Sequence, residues 1–329
     1  MCTAILFQNK DTYFGRNLDL ERGYGEQVVI TPRNFLFPLR CGAPIRTQYA
    51  MIGMAAVAQE LPLYFEATNE QGLSMAGLNF PENAVYFLPT AGKANIAPFE
   101  LIPWILGQCA DLSQARQLLQ TLQLVNIPFS PKYPVTPLHW MLSDRSGSIV
   151  IESLREGLQI RDNPFGVLTN NPPFDYHLTN ISHYMALHPG PADNRMSPRI
   201  PLRNYSLGMG ALGLPGDFSS ASRFVRACFM KENSQCAQEE RANVHHFFHI
   251  LNGVAMPKGC VWTPNGFEYT RYSSCCNIDR GIYYYTTYDD LSIHAVELQE
   301  ADLNRDSLLS YPLLPDSRPQ QKEKHRVSY

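Results

Sequence analysis

The chain lacks any long uninterrupted run of apolar residues, and no segment reaches the roughly 18 that a membrane-spanning helix requires. The triplet Asn9-Lys10-Asp11 breaks the first apolar stretch before it attains the length of a secretory signal. Neither charge sign is in large excess, since the net charge is −3, and no basic stripe with interleaved aromatic residues gives a case for nucleic-acid binding. We therefore expect a cytoplasmic protein that binds neither membranes nor nucleic acid.

The 8 cysteines also lack the spacing of metal or redox motifs, because no CxxC pair occurs among them. In a chain without a signal peptide we expect them to be reduced thiols. His245 and His249 have a helical spacing that zinc could accept, but no third ligand is evident. The sequence therefore predicts no metal site.

Apolar residues make up 44% of the chain and charged residues 17%, which is enough apolar material for a sizeable core. No internal repeat and no clear linker divides the chain. We expect one domain over residues 1–311 and a loose tail over residues 312–329, where proline, glutamine and charged residues accumulate.

Strand patterns occur at both ends and in the middle of the chain, separated by two pairs of helices. The first strands, Thr3–Phe7 and Tyr13–Leu18, are predicted to form a hairpin around the turn Asn9-Lys10-Asp11. Helices are predicted over Ala97–Cys109, Asp111–Leu124, Phe218–Lys231 and Ala242–Ala255. Further strands are predicted at Gln27–Thr31, Ala50–Ala58, Gly72–Leu78, Leu138–Ser143, Ser148–Ser153, Gly157–Arg161, Gly166–Leu168, Tyr269–Asn277, Gly281–Tyr288 and Ser292–Leu298. This order does not alternate as βαβ units do, and it favours an α+β fold of antiparallel sheets with helices as outer layers.

Cys2 points most directly to chemistry. Removal of Met1 would leave Cys2 with a thiol nucleophile and a free α-amine that can act as its base. An α-amine has an unperturbed pKa of about 7.7–8.0, which is close to a neutral working pH. A cysteine taken alone is more often an inert buried side chain, so the interpretation depends on its surroundings.

Arg16 and Asp19 would return alongside the start of the chain if the hairpin forms. A fixed cation beside a thiol favours the thiolate, and a carboxylate beside the α-amine can orient it. Without Cys2, the same two residues would be interpreted as a surface ion pair of little energetic weight.

The opening run MCTAILFQNKDTYFGRNLDLE resembles the start of the choloylglycine hydrolase family, the bile salt hydrolases and penicillin V acylases, which are N-terminal nucleophile hydrolases. The likeness continues to about residue 300 through Gly77–Pro81, Leu138–Trp140, Gly166–Pro172, Gly213–Phe218, Ala221–Phe224 and Gly281–Tyr285. The resemblance implies an αββα sandwich of two antiparallel sheets between helical layers, no metal or organic cofactor, and a homotetramer.

The resemblance also implies a set of site residues. Cys2 would be the nucleophile and base, Arg16 and Asp19 would stand beside the thiol and amine, and Arg223 would complete the polar site. Asn79 and Asn170 match the family's oxyanion residues, whose donors point at the charge that develops on the substrate. Residues at family pocket positions are Leu18, Ala58, Phe65, Phe129 and Tyr133, and each of these fits ordinary core packing equally well.

The function that these positions imply is hydrolysis of the amide bond in glycine- or taurine-conjugated bile acids. Asn79 favours this substrate, because the resembling penicillin V acylases tend to carry tyrosine there. Penicillin V acylase, or hydrolysis of another N-acyl amide, is the alternative enzyme activity. A third interpretation is an inactive scaffold that binds bile acids without cleaving them.

Overall fold

The computed structural model describes residues 1–313, in which 19 strands and five α-helices follow one another along the chain. The strands of the N-terminal part are β1 Cys2–Gln8, β2 Thr12–Leu20, β3 Glu26–Thr31, β4 Leu36–Phe37, β5 Ile45–Arg46, β6 Met51–Ala58, β7 Leu61–Asn69, β8 Ser74–Asn79, β9 Ala94–Ile96 and β10 Leu122–Leu124. The later strands are β11 Leu138–Asp144, β12 Gly147–Leu154, β13 Gly157–Asp162, β14 Val167–Leu168, β15 Val261–Thr263, β16 Gly266–Asn277, β17 Ile282–Thr287, β18 His294–Glu297 and β19 Leu309–Pro312. The α-helices are α1 Leu101–Leu106, α2 Leu112–Leu119, α3 Phe174–Asn180, α4 Ser220–Asn233 and α5 Glu240–Asn252, and short 3₁₀ turns cover Pro98–Glu100, Ile181–Tyr184, Met209–Ala211 and Leu298–Glu300.

Most strands belong to two antiparallel sheets. The first sheet has the order β14-β1-β2-β16-β17-β18, with β15 paired to β16, and the second has the order β13-β12-β11-β8-β7-β6-β3-β19. A short parallel pair, β9 with β10, and a short antiparallel pair, β4 with β5, lie outside them. The strand that carries Cys2 therefore lies inside a sheet, with a partner on each side.

Helices cover the outer face of each sheet. One apolar cluster joins the inner face of the second sheet, for example Ile52 and Leu78, to the first sheet and to side chains of α4 and α5 such as Phe224 and Phe247. A second cluster joins the outer face of the second sheet to α1 and α2. The predicted αββα sandwich and α+β class are confirmed.

The β1–β2 hairpin forms as predicted, with Gln8 opposite Thr12 and the turn at 9–11. Gly15 lies where β16 passes closest to β2, and a Cβ atom at this position would overlap the carbonyl oxygen of Ser274. Any other residue at position 15 would separate β2 from β16, so this glycine keeps the two strands paired, opposite Ile5 of β1.

Both predicted helices in the 97–124 region are longer than the observed ones. Residues 98–100 form a 3₁₀ turn, and α1 ends at Leu106. Asp111 does cap α2, since its Oδ1 accepts a hydrogen bond from the backbone N–H of Gln114, but that helix ends at Leu119. Residues 122–124 leave the helix because they pair with β9.

The prediction also missed β7 and α3, and the first residue of its predicted tail lies in a strand. Pro312 belongs to β19 and pairs with Gln27 of β3. The rest of the predicted tail, residues 314–329, lies outside the described residues. Across residues 1–313, every helix is too short or too polar to span a membrane.

Candidate active site

Cys2 is buried, with 2% of its surface exposed, and lies directly opposite Leu18 of β2. Ala4 and Arg16 form the next pair on the same face of the sheet, because facing residues of antiparallel strands point to the same side. The guanidinium of Arg16 donates to a carbonyl of the second sheet, that of Gly77, which shows that this face points between the sheets. The thiol of Cys2 therefore faces the space between the two sheets.

Asn170 connects the predicted residues to one another. Its Oδ1 accepts hydrogen bonds from the backbone nitrogen of Cys2 at 2.8 Å and from Nη2 of Arg223 at 2.6 Å. Its Nδ2 donates to the backbone oxygen of Asn79 at 2.7 Å. Its own backbone N–H donates to Oγ of Ser220, at the start of α4, at 2.8 Å. Four of the six predicted catalytic residues thus share one hydrogen-bonded group.

Arg223 reaches this group from α4, whose first turn is capped by Ser219. Its side chain is fully buried and donates to the carbonyl of Phe218, to the carbonyl of Cys2 and to Oγ1 of Thr3. Burial lowers the pKa of Arg223, although the charges of Asp19 and Cys2 oppose that effect. The helix layer therefore delivers a cation to the backbone around Cys2.

Arg16 is a second fully buried cation, and it lies on the thiol's side of the sheet. Its Nη1 donates to the carbonyls of Phe65 and Gly77, and its Nε lies 3.8 Å from Oε2 of Glu66. Burial alone would lower the pKa of Arg16, but the charges of Cys2, Tyr272 and Glu66 raise it above its usual value. Among residues 1–313, Nη2 of Arg16 is buried without a hydrogen-bond partner.

Glu66 balances the Arg16 charge from β7. The hydroxyls of Tyr272 and Tyr283 donate to its two carboxylate oxygens at 2.7 and 2.5 Å. Burial raises the pKa of the Glu66 carboxyl, and Arg16 and the two hydroxyls oppose that shift. The sequence analysis missed Glu66, whose only signal was an acidic residue within an apolar run.

Asp19 lies at the end of β2, beside the first residue of the chain. Its Oδ1 accepts from Oγ1 of Thr270 at 2.6 Å, and its Oδ2 has no partner within the described part of the chain. The α-amine of Met1 donates to the Asp19 carbonyl at 2.8 Å and forms an ion pair with Glu268. Burial lowers the pKa of that amine, against the charges of Cys2 and Asp19. Here Met1 is present, so the nitrogen of Cys2 is a peptide nitrogen.

Asn79 ends β8 and is half-buried, opposite Leu138 of β11. Its backbone oxygen holds Asn170, but no hydrogen bond within residues 1–313 involves its side-chain amide. Within residues 1–313, that amide is therefore free to bind a further group.

The five predicted pocket residues separate into two pairs and one residue that stands apart from both, Ala58. Leu18 is buried in the apolar cluster that contains Cys2, and Phe65 packs against the same cluster and against Tyr24. Phe129 and Tyr133 lie together between β10 and β11, with ring centroids 5.9 Å apart. Ala58 is half-buried at the end of β6.

His245 and His249 lie on α5, away from this group of residues. Within residues 1–313, no cluster of three or more His, Cys, Asp or Glu side chains is arranged to hold a metal ion. All 8 cysteines fall inside this range and are free thiols.

Two antiparallel sheets between helical layers, with a cysteine on the first strand, place the chain in the N-terminal nucleophile hydrolase fold class. A model of the linear amide C–N hydrolases, choloylglycine hydrolase family, matches residues 2–311. The chain belongs to this family.

Named relatives cover nearly the whole chain. A bile salt hydrolase/transferase of Lactiplantibacillus plantarum is 50% identical over 97% of this chain and 98% of its own length. A bile salt hydrolase/transferase of Clostridium perfringens is 36% identical over 94% of this chain and 96% of its own length.

Solved structures agree with the fold. The structure of a conjugated bile acid hydrolase variant from Clostridium perfringens superposes with a TM-score of 0.90 at 33% identity, covering 98% of this chain and 100% of that one. Penicillin V acylase from Agrobacterium tumefaciens superposes with a TM-score of 0.75 at 19% identity, covering 95% of this chain and 92% of that one. The second likeness concerns the fold alone.

Proposed function

We propose that this chain hydrolyses the amide bond of glycine- or taurine-conjugated bile acids, with Cys2 as the nucleophile. The observation that carries the proposal is the position of Asn170, which binds the backbone of Cys2 and Arg223 through one oxygen and Asn79 through its nitrogen. A relative with 50% sequence identity to this chain is named bile salt hydrolase/transferase, which supports this choice of substrate.

The reaction begins once Met1 has been removed. The nitrogen of Cys2, which now donates to Asn170, then becomes a free amine close to Asp19. This amine takes the thiol proton, and the sulfur attacks the carbonyl carbon of the substrate amide. Arg16, a fixed cation on the same face of the sheet, stabilises the thiolate.

Two asparagines stabilise the tetrahedral intermediate. The side-chain amide of Asn79, which no group of the described chain occupies, and Nδ2 of Asn170 donate to the oxyanion. The C–N bond then breaks, and the leaving amine of glycine or taurine takes a proton from the α-ammonium of Cys2. Water attacks the resulting thioester, releases the bile acid and restores the thiol.

The apolar residues near the site fit the steroid part of the substrate better than a polar acyl group. Leu18 lies opposite Cys2, Phe65 packs against the same apolar cluster, and Phe129, Tyr133 and Ala58 would extend the pocket. Each 100 Å² of apolar surface buried there would contribute about 2.5 kcal/mol to binding. Penicillin V acylase activity remains the alternative, with the same nucleophile and a smaller acyl group.

Acyl transfer is a second candidate activity. The relatives that are 50% and 36% identical are both named hydrolase/transferase. In the proposed mechanism, an amine that reaches the Cys2 thioester in place of water would form a new amide. Hydrolysis and transfer would therefore share every step up to the acyl-enzyme.

The proposal extends to organisation and location. We propose a single domain over residues 1–311, because the inter-sheet core draws side chains from both halves of the chain. A homotetramer is supported by the exposed apolar side chains of residues 185–214, among them Met185, Met196, Tyr205 and Leu207. The free thiols support a cytoplasmic location. Light scattering on purified protein tests the tetramer.

The test of function uses protein whose first residue has been established by mass spectrometry. Glycocholate, taurocholate and phenoxymethylpenicillin are incubated separately, and free glycine, taurine or penicillin nucleus is measured. We expect release from the bile acid conjugates and its loss in Cys2→Ser. Binding of glycocholate without release, in protein that begins at Cys2, would support the inactive scaffold instead. Preferred turnover of the penicillin would support the acylase.

A further inference from the structure

His139 is a fully buried histidine on β11 that no step of the proposed reaction uses. It lies opposite Leu78 of β8, one residue before Asn79. A buried imidazole needs partners for both ring nitrogens, and the identity of these partners shows what the ring holds in place.

His139 contacts both segments that carry the oxyanion asparagines. One face of its ring stacks on Phe80, the residue after Asn79, with centroids 4.2 Å apart and an interplanar angle of 5°. Its Nε2 donates to the carbonyl of Thr169, the residue before Asn170, at 3.0 Å. The ring therefore contacts the residue that follows Asn79 and the residue that precedes Asn170.

Glu152 fixes His139 from the other side. Oε1 of Glu152 lies 3.0 Å from Nδ1 of His139, and the carboxylate also accepts from the backbone N–H of Phe174, the first residue of α3. Because the Thr169 carbonyl only accepts, Nε2 must carry a proton, and the Nδ1–Oε1 bond requires one more shared proton. The pair is then neutral overall, which makes its burial less costly than that of a lone charge.

We propose that His139 is a positioning residue that sets the separation of Asn79 and Asn170 at the oxyanion site. The inference rests on the proposed hydrolysis. A displacement of about 1 Å at a catalytic group can reduce the rate by about 100-fold. Loss of the bond to Thr169 would remove one of the contacts that hold the 169–170 backbone, beside those of Asn170 to Ser220 and His177, while leaving the hydrogen bonds of Arg16 intact.

The test compares two substitutions that each keep one half of the ring's contacts. His139→Asn keeps a polar group near Glu152 but cannot reach the Thr169 carbonyl, whereas His139→Gln can still donate to that carbonyl. We expect kcat on glycocholate to fall about 10- to 100-fold in His139→Asn, with KM changed less than about threefold, and to recover at least in part in His139→Gln. The rate of Cys2 alkylation by iodoacetamide should stay unchanged in both.

His294→Asn is the matched control. His294 also pairs with a carboxylate, that of Asp290 at 2.9 Å, and also stacks on an aromatic ring, that of Tyr285, but it lies on β18 in the other sheet. We expect its kcat to remain that of the wild type. Phe80→Leu, which removes the stacked ring but keeps an apolar side chain, decides the matter if His139→Asn does not fold, and its kcat should also fall.

Hydrogen–deuterium exchange separates this proposal from the proposed function. Amides of residues 167–170 should exchange faster in His139→Asn, while those of residues 273–277 in β16 stay protected. Unchanged exchange at 167–170, or an unchanged kcat in both His139→Asn and Phe80→Leu, would overturn the positioning role. Failure of the wild type to cleave any conjugate would instead reject the proposed function, and the exchange measurement would still decide the positioning.

Discussion

Nη2 of Arg223 and the backbone nitrogen of Cys2 donate to the same atom, Oδ1 of Asn170, at 2.6 and 2.8 Å. Both groups are donors, so the atom between them must be the amide oxygen and not the nitrogen. The NH₂ group of Asn170 is thereby directed toward Asn79. The orientation of a candidate oxyanion donor is thus fixed by a residue 53 positions away in sequence.

Substitution of Arg223 should disturb Asn170 and leave buried acceptors unpaired. We expect Arg223→Gln to reduce kcat on glycocholate by about 100-fold, as loss of an oxyanion donor does. Arg226→Gln is the control on the same helix, because Arg226 binds carbonyls of Gly253, Pro215 and Asp217 outside the site. Steady-state kinetics of the two variants provide the measurement, and equal losses in both would contradict the role of Arg223.

Asn79 and Asn170 should differ in what their removal does to stability. Asn79→Ala is expected to reduce kcat by about 100- to 1,000-fold with little change in unfolding free energy, since the described chain offers its amide no partner. Asn170→Ala should lose activity and also about 1–3 kcal/mol of stability, because Cys2 and Arg223 lose their acceptor. Steady-state kinetics measure kcat, and urea denaturation measures the free energy of unfolding. An Asn79→Ala variant with full activity would exclude Asn79 from the oxyanion site.

The Arg16–Glu66 pair should show strong coupling in stability. Arg16→Gln leaves the Glu66 carboxylate buried without its cation, which we expect to cost about 3–5 kcal/mol. The double variant Arg16→Gln/Glu66→Gln should be more stable than Arg16→Gln alone. Burial already raises the folded-state pKa of Glu66, so Arg16→Gln should gain stability as the pH falls and lose it as the pH rises through that pKa. Additive losses in the double variant would contradict the coupling.

His177 should make the fold sensitive to acid. Burial lowers the pKa of His177 from 6.5 to about 4, and its Nε2 donates to the carbonyl of Asn170. A histidine with a depressed folded-state pKa contributes stability that is present above pH 6.5 and is lost as the pH falls toward 4. Between pH 7 and 4.5 this loss should amount to about 2–3 kcal/mol.

His177→Gln keeps a donor for Asn170 but does not titrate. Its unfolding free energy should therefore fall less than that of the wild type between pH 7 and 4.5. The difference between the two losses should be about 2–3 kcal/mol. Thermal or urea unfolding across this pH range measures the difference. Parallel curves for the two proteins would show that His177 is not the acid-sensitive group.

Substitutions of Leu18 and Tyr133 should have different effects, because Leu18 mainly packs in the core and Tyr133 is proposed to bind the substrate. Leu18 is 3% exposed, so Leu18→Ala should cost about 2–5 kcal/mol of stability. Tyr133 is only half-buried, and Tyr133→Ala should raise KM for glycocholate about 10-fold with kcat unchanged, as loss of uniform binding does. An unchanged KM in Tyr133→Ala would remove this residue from the proposed pocket.

The parts of the fold that the sequence predicted are those with local signals. The β1–β2 hairpin was predicted because its turn and both strands lie within 19 residues of one another, counted from Cys2 to Leu20. Strand β7 was missed because its half-buried positions, Leu61, Leu63 and Phe65, are apolar, so it lacks the polar alternation of a half-exposed strand, and residues 66–69 are buried on both faces. The end of α2 was misplaced because pairing of β10 with β9 is a contact between distant segments.

The candidate site divides in the same way. Arg16 and Asp19 were linked to Cys2 by the hairpin alone, whereas Asn79, Asn170 and Arg223 came from the family resemblance, since nothing local connects them. Glu66 carried only the signal of an acidic residue within an apolar run, and His139 was marked only by its place in the family-like segment Leu138–Trp140. Their partners lie on other strands, up to 217 residues away for Glu66 and Tyr283, and only the folded sheets bring them together.

The place of β1 between β14 and β2 determines how the site can fail. Chain ends usually fray at almost no free-energy cost, but a strand that is paired on both sides opens only when neighbouring strands separate. The thiol and the residues around it therefore unfold together with the whole sandwich. Mild heat or denaturant should leave the reactive centre assembled until the molecule unfolds as a unit.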